Sequence, residues 1–441
     1  VDDYRALADA MAADIAAGRL RPGQRLPPQR RFARDRRIAA STAARVYTEL
    51  RRRGLVVGEV GRGTYVRAGQ APGEPALVEP GQARVDLELN FPVLPQQPDL
   101  LARSLAPLLR PGAFAEATRP AGTAGTPRAR AAAAALLTRS GWAPDERRIL
   151  FAGNGKQAIA AAVAALVPTG GRLGVEALTY PVVKGVAARL GVTLVPLVTD
   201  GEGLVPEAVR AARPHAVYVQ PTLHNPLGST MPGPRREELA AVLRSLDIPA
   251  VEDTIYAFLR DEPPLAAYAP ERTVLVDSLS KRLAPGLTLG FAVPPAALAG
   301  RVASAVRSGT WTAQGFALEA ATHWIEDGTA VAVQDAKRDD AAHRQRIVQA
   351  RLAGLAVHGD PAAYHCWWEL PEHWRAETFV AAAARRGIAV SPAGAFAVGA
   401  GHAPNAVRLA LASPPPATLS GALDVLAALA TASPDDEDAL T

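Results

Sequence analysis

The stretch "VDSLSKRLAPGLTLG", Val276 to Gly290, reads as a buried strand that breaks into a short polar loop. Ser278 and Ser280 flank a leucine, and Lys281 follows. Lysine is scarce in this chain: of 48 basic residues, only Lys156, Lys184, Lys281 and Lys337 are lysine. A basic surface is served by lysine or arginine alike, but only an amine forms a Schiff base. A lysine directly after an apolar strand, in a chain that otherwise uses arginine, is therefore a candidate point of covalent attachment. The surrounding sequence decides whether Lys281 has that role.

From about Leu87 onward, apolar β-rich runs alternate with Ala-rich helical runs. "RRILFAG" precedes "KQAIAAAVAALV", "GRLGVEA" precedes "VVKGVAARLG", and "HAVYVQP" precedes "RREELAAVLRSLD". "IPAVEDT" and "RTVLVDSLS" add two buried strands. This rhythm predicts a mostly parallel α/β sheet covered by helices, over about 87–327. Residues of about 328–430 read as a smaller α+β lobe, and 431–441 as a flexible acidic tail.

In open α/β sheets ligands bind beyond the strand ends, and the candidate residues fall there. "GNGKQA", Gly153 to Ala158, follows a strand and opens a helix, which makes an anion site from backbone N–H groups and the helix dipole. Tyr180 in "EALTYPVVKG" can stack on a flat ring. Asn225 in "QPTLHNPLG" can donate to a phenolate oxygen, although Asn-Pro is often only a turn. In "PAVEDTIYAFL" a buried carboxylate needs a positive partner, such as a protonated pyridine nitrogen. Alternation does not separate Asp253 from Glu252 as that acid. Tyr256 is three residues beyond Asp253, and Ser278 and Ser280 supply hydroxyls beside Lys281. The order is what an aldehyde-bearing pyridine phosphate needs.

On these motifs, residues of about 87–430 resemble fold-type I aminotransferases that use pyridoxal 5′-phosphate. The resemblance implies that Gly155, Lys156 and Gln157 hold the phosphate through their amides. It implies that Tyr180 stacks on the ring, Asn225 and Tyr256 bond the phenolic oxygen, and Asp253 meets the ring nitrogen. Ser278, with Ser280 beside it, would touch phosphate, and Lys281 would form the Schiff base. "NAVRLALA" matches the segment whose arginine grips a substrate α-carboxylate, which assigns that role to Arg408. One position departs: where the family usually reads "PGLRLG", with an arginine neutralising phosphate, this chain has "PGLTLG" and Thr288. Arg282 is the nearest alternative cation in sequence.

The first 68 residues have a different character. They hold 15 arginines against 7 acidic residues, a net +8, whereas the remainder carries −3. A small basic segment on a near-neutral body points to a polyanion partner. "DYRALADAMAADIAAG" puts Leu7, Met11 and Ile15 on one helical face and ends at Gly18. "QRRFARDRR" predicts a short basic helix. "STAARVYTELRRRG" predicts a helix capped by Ser41 or Thr42, aligning Val46 with Leu50 and stopping at Gly54. "LVVGEVGRGTYVR" alternates as a hairpin with Gly61 and Gly63 at its tip. Three helices and a hairpin make a winged helix-turn-helix, whose third helix would enter the major groove. These motifs resemble the GntR family of winged-helix repressors, over residues 1–67. Arg30 and Arg31 are the expected phosphate contacts; Ser41, Thr42 and Arg45 lie on the reading helix, and Arg62 at the wing tip. Many members have a Ser-Arg pair where this chain has Ala39 and Ala40.

Residues 68–86, rich in Pro, Gly and Ala, read as a linker. The fusion as a whole resembles the MocR subfamily of bacterial transcription regulators. It implies a homodimer that binds a double-stranded DNA operator and senses pyridoxal phosphate, an amino acid or amine, or their adduct. The competing reading is an active aminotransferase with a vestigial DNA-binding head. The single cysteine, Cys366, excludes an intramolecular disulfide and a cysteine-based zinc site, and no metal is expected. The apolar runs are too short and interrupted for a membrane span, and the first residues lack the pattern of an export signal. The expectation is a cytoplasmic protein, nucleoid-associated when bound to DNA.

Overall fold

A computed structural model describes residues 4–16, 19–21, 23–52, 55–59, 63–66, 83–399 and 403–432. At the N-terminus, helices α1 (Tyr4–Ala16), α2 (Gln29–Asp35) and α3 (Ala40–Arg52) pack over a three-stranded sheet. Its strands are Arg25–Leu26, Gly63–Val66 and Val56–Glu59, in that order. Met11, Phe32, Val46, Tyr47, Leu50, Val56 and Val66 form the core, with Leu7 and Ile15 packed against it. The helical face read from the sequence is the buried one. Helix α3 starts two or three residues earlier than expected: it begins at Ala40 and Ala43 N–H donates to Ala39 O, so Ser41 and Thr42 lie within the first turn and not at the cap position. Gly18, Gly54, Gly61 and Arg62 lie outside the described residues.

In the larger part, seven strands run in the order Leu150–Ala152, Gly290–Val293, Thr273–Ser278, Ala250–Asp253, Ala216–Val219, Arg172–Glu176 and Thr193–Leu197. All neighbours are parallel except that Gly290–Val293 runs antiparallel to both of its partners. The central strands are buried on both faces, which is why they read as continuous apolar runs and not as alternation. Helix Gly155–Leu166 packs against this sheet through Ala158, Ile159, Ala162 and Val163.

The small lobe holds a second sheet, in the order Val357–His358, His365–Glu369, Ala406–Ala410, Ile388–Pro392 and Val85–Leu87. Val85–Leu87 pairs in parallel with Ile388–Pro392, so the last two residues of the expected linker are part of the lobe. The three-residue strand was too short to show a period. Residues 68–82 lie outside the described residues. Helix Thr329–Arg351 leads into the lobe and helix Pro416–Thr431 covers the sheet, so Thr431 is helical where the tail was expected to begin. Among the described residues, no helix is long and apolar enough to cross a membrane.

Candidate functional site

Five strand ends of the large sheet set the site. Strand Ala250–Asp253 ends on Asp253, which is 3% exposed. Its Oδ2 accepts from Tyr218 Oη at 2.6 Å and Gln220 Nε2 at 2.9 Å, and its Oδ1 accepts from Ile255 N–H at 3.0 Å. Burial pushes the carboxyl up to about 6, against the pull of these hydrogen bonds. All three of these donors are neutral groups. Glu252, which sequence could not separate from Asp253, is also fully buried but points elsewhere: it accepts from Leu265 and Ala266 N–H and sits in the fields of Arg139 and Arg236.

Strand Thr273–Ser278 leads into the short helix Leu279–Arg282, capped by Ser278, whose Oγ accepts from Ser280 N–H at 3.3 Å and lies 2.7 Å from Ser280 Oγ. Lys281 Nζ donates to Asn90 O and lies 5.2 Å from the centre of the Phe91 ring. Burial pushes this amine down to about 7, and the charges of Arg408 and Lys156 add to the effect. Lys337, wholly buried, donates to Lys281 O at 2.9 Å and to Leu283 O, tying down the turn that carries Lys281.

At the end of strand Leu150–Ala152, Asn154 caps helix Gly155–Leu166 by accepting from Gln157 N–H at 2.9 Å. The Gln157 amide assigned to phosphate is thus already engaged, which leaves those of Gly155 and Lys156 at the helix start without intrahelical partners. Space is tight here. A Cβ on Gly155 would come within 3.0 Å of Ser278 Oγ, and one on Gly290 within 2.3 Å of Asn154 O. Thr288 Oγ1 is buried with no hydrogen-bond partner. Arg282 is not a spare cation: it is 2% exposed, pairs with Asp277 Oδ2 at 2.7 Å, donates to Gln334 and lies against the Phe258 ring.

Arg408 rises from the small-lobe strand Ala406–Ala410 and is 6% exposed. It donates to Asn225 Oδ1 at 3.3 Å, to Ser391 Oγ at 3.0 Å and to Glu88 O. With Asn225 Oδ1 so engaged, its amide nitrogen is left to donate. Tyr256 Oη accepts from Asn90 Nδ2 at 3.3 Å. Tyr180 stands at the start of helix Pro181–Leu190, its hydroxyl pushed upward by burial and by the fields of Tyr256 and Asp253. Through these contacts and fields Lys281, Asp253, Tyr180, Tyr256, Asn225 and Arg408 form one cluster, with Lys156 at its edge.

Sequence reasoning missed Tyr218, Gln220 and Asn90. Gln220 stood inside a quoted motif at a strand end, and its position was the available signal. Asn90 precedes the main sheet in a segment with no period, so nothing marked it.

In the N-terminal part, Arg30, Ser41 and Arg45 are exposed, and Thr42 is half-buried. Arg31 is exposed and lies 3.6 Å from Asp35 across one turn. The Arg45 guanidinium sits 4.7 Å over the Tyr4 ring, which holds it against α1.

Residues 92–426 match the family of class I and II aminotransferases, and residues 3–66 match the bacterial regulatory proteins of the gntR family. The chain is 30% identical over 420 residues to the uncharacterized HTH-type transcriptional regulator YdeF of Bacillus subtilis, covering 93% of this chain and 90% of that one. It is 34% identical over 131 residues, 28% of each chain, to the HTH-type pyridoxine biosynthesis transcriptional regulator PdxR of Corynebacterium glutamicum. In fold it is similar to LysN, an α-aminoadipate aminotransferase of Thermus thermophilus solved with N-(5′-phosphopyridoxyl)-L-leucine. The TM-score is 0.71 at 20% identity, over 81% of this chain and 93% of that one. The chain therefore belongs to the class I and II aminotransferase family and, through its GntR-type head, to the MocR subfamily of HTH-type transcriptional regulators.

Proposed function

We propose that this regulator binds pyridoxal 5′-phosphate through Lys281, and responds to the cofactor, to an amino acid or amine, or to their adduct by changing its hold on DNA. The observation that carries the reading is Asp253. A buried carboxylate whose hydrogen-bond donors, Tyr218, Gln220 and the Ile255 amide, are all neutral, in the cluster that holds Lys281 and Arg408, lacks the partner that a protonated pyridine nitrogen supplies. The orphaned Thr288 hydroxyl and the glycine-lined approach of Gly155 to Ser278 fit a phosphate in the same way.

When bound, the cofactor supplies an aldehyde and an electron-withdrawing ring. The chain's own residues do the rest. Lys281 presents an amine that is substantially neutral near pH 7 and hence nucleophilic. Asp253 holds a proton at the ring nitrogen, fixed by Tyr218 and Gln220. Tyr180 stacks, and Asn225 and Tyr256 orient the ring oxygen. Arg408 receives an effector carboxylate as a bidentate partner.

The head supplies the DNA contacts, with Arg30 and Arg31 on phosphate and Ser41, Thr42 and Arg45 on the face of α3 directed to the groove. Arg62 is the proposed wing-tip contact. The protein acts in the cytoplasm as a homodimer, and two copies match paired half-sites. Exposed Leu109, Phe114 and Phe316 support dimer contact, the two rings lying 6.1 Å apart on the surface.

The test is selection of DNA from a random library by the full chain, with and without pyridoxal phosphate and a panel of amino acids and amines. Enrichment of a two-fold-related site, altered by cofactor or effector, is expected. Retention without sequence preference or response refutes the reading. The co-occurrence of Lys281, Asp253 and Arg408 favours a second reading, an active aminotransferase. Multiple turnovers between an amino acid and a 2-oxo acid would establish it.

A further inference from the structure

We propose that the side-chain ammonium of Lys156, beyond its backbone amide, is the cationic ligand of the cofactor phosphate, in place of the arginine absent at Thr288. The inference rests on the cofactor reading above and adds a residue to it.

A phosphate held only by amides and hydroxyls in a partly enclosed site leaves its charge uncompensated, and desolvation makes that costly. The nearby cations can be taken in turn. Arg282 is neutralised by Asp277 and sealed beneath Phe258. Arg139 is buried with its guanidinium unpartnered, but the charges it feels are those of Glu252, Asp277, Arg282 and Arg236, away from Lys281. Arg408 is held by Asn225, Ser391 and the Glu88 carbonyl on the small-lobe side. Lys337 is spent on the carbonyls of Lys281 and Leu283. Lys281 is itself the attachment point.

Lys156 remains. It is the second residue of helix Gly155–Leu166, directly after the glycine that closes on Ser278. It is exposed, and among the described residues no carboxylate pairs with it. Its charge adds to the effect of burial on Lys281. The helix start thus meets the Ser278–Ser280 hydroxyl pair at Gly155, and the next residue carries an ammonium that no carboxylate among the described residues claims. Lysine binds phosphate as a point charge and tolerates an exposed, adjustable position.

The experiment titrates the full apo chain with pyridoxal 5′-phosphate and, separately, with unphosphorylated pyridoxal, reading affinity from the visible absorbance. Lys156 is exposed, so Lys156→Ala leaves the fold intact, which circular dichroism checks. The expected result is a loss of roughly ten- to a hundred-fold for the phosphorylated ligand, with a much smaller change for pyridoxal, which feels Lys156 only through its effect on the Lys281 amine. Lys156→Arg should keep most of the affinity, and Thr288→Arg added to Lys156→Ala should restore it. Equal losses for both ligands, or no loss for either, overturn the inference and leave the cofactor reading standing. If the unaltered chain binds neither ligand, the cofactor reading fails and takes this inference with it.

Discussion

The state of the Lys281 amine gives a sharp test of the site. An ordinary lysine titrates at 10.5, and here burial, Arg408 and Lys156 bring the value to about 7. At neutral pH the buried amine is then about half neutral, whereas a free lysine is neutral in only ~0.03% of molecules. The difference is roughly a thousandfold in reactive species. The sign follows directly. Below pH 7 the capture rate should fall about tenfold per pH unit as the amine protonates, and above 8 it should level off. The assay is stopped-flow mixing of apo-protein with pyridoxal phosphate from pH 5.5 to 9.5, with free lysine at each pH correcting for titration of the aldehyde reagent itself. Arg408→Gln removes one like charge, so the inflection should move upward. A capture rate that keeps rising through pH 9.5 would refute the reasoning, because the amine would then be an ordinary lysine. An inflection unmoved by Arg408→Gln would instead mean that Arg408 has no part in setting it.

Asp253→Asn keeps the shape but removes the counter-charge for a ring nitrogen. Cofactor affinity should fall roughly ten- to a hundred-fold, with a shifted absorption maximum, as equilibrium titration would show. Asp277→Ala strands Arg282 as an unpaired buried cation and should cost about 3–5 kcal/mol, read from urea midpoints of the large domain. Arg30→Ala should weaken binding to all DNA sequences and reduce the salt slope by about 1. Arg45→Ala should weaken specific sites more than random DNA, and equal losses in a competition assay would remove it as a base reader.

Much of the large lobe was legible because its strands are doubly buried and its helices Ala-rich, so the period changes sharply between them. The strand ends were legible for the same reason, and that located Asp253, Lys281 and the Gly155 turn. What sequence could not supply was direction. Asp253 and Glu252 are adjacent acids, both buried, and only the packing of Leu265 and Ala266 against one and Tyr218 and Gln220 against the other separates them. Arg282 looked like a substitute cation by proximity to Lys281, yet Asp277, five residues earlier, holds it inward. Val85–Leu87 was invisible because its partner strand is some 300 residues away, and a three-residue strand carries no periodicity of its own.

The rarity of lysine acquires a physical sense from where the four residues fall. Lys281 and Lys337 are both pushed down to about 7 by burial, a state open to an ammonium but not to a guanidinium, which stays charged. For Lys337 the unfolded chain keeps the proton up to the ordinary lysine value while the folded chain releases it near 7. Between those limits stability therefore rises with pH, and the cost of burying the charge is fully present below them. That cost is offset by closing the Lys281 turn through two carbonyls, a task for a compact donor. Lys184 does similar work at the other side of the site. Its Nζ donates to Ala395 O at 2.6 Å and ties the helix entered from Tyr180 to the small lobe that carries Arg408. Arginine covers the surface and the DNA-facing head and also sits buried at Arg236, Arg282 and Arg408, positions where a permanent charge suffices. Lysine appears where the chain needs an amine that can lose its proton, or a point charge small enough to fit between two elements of the site.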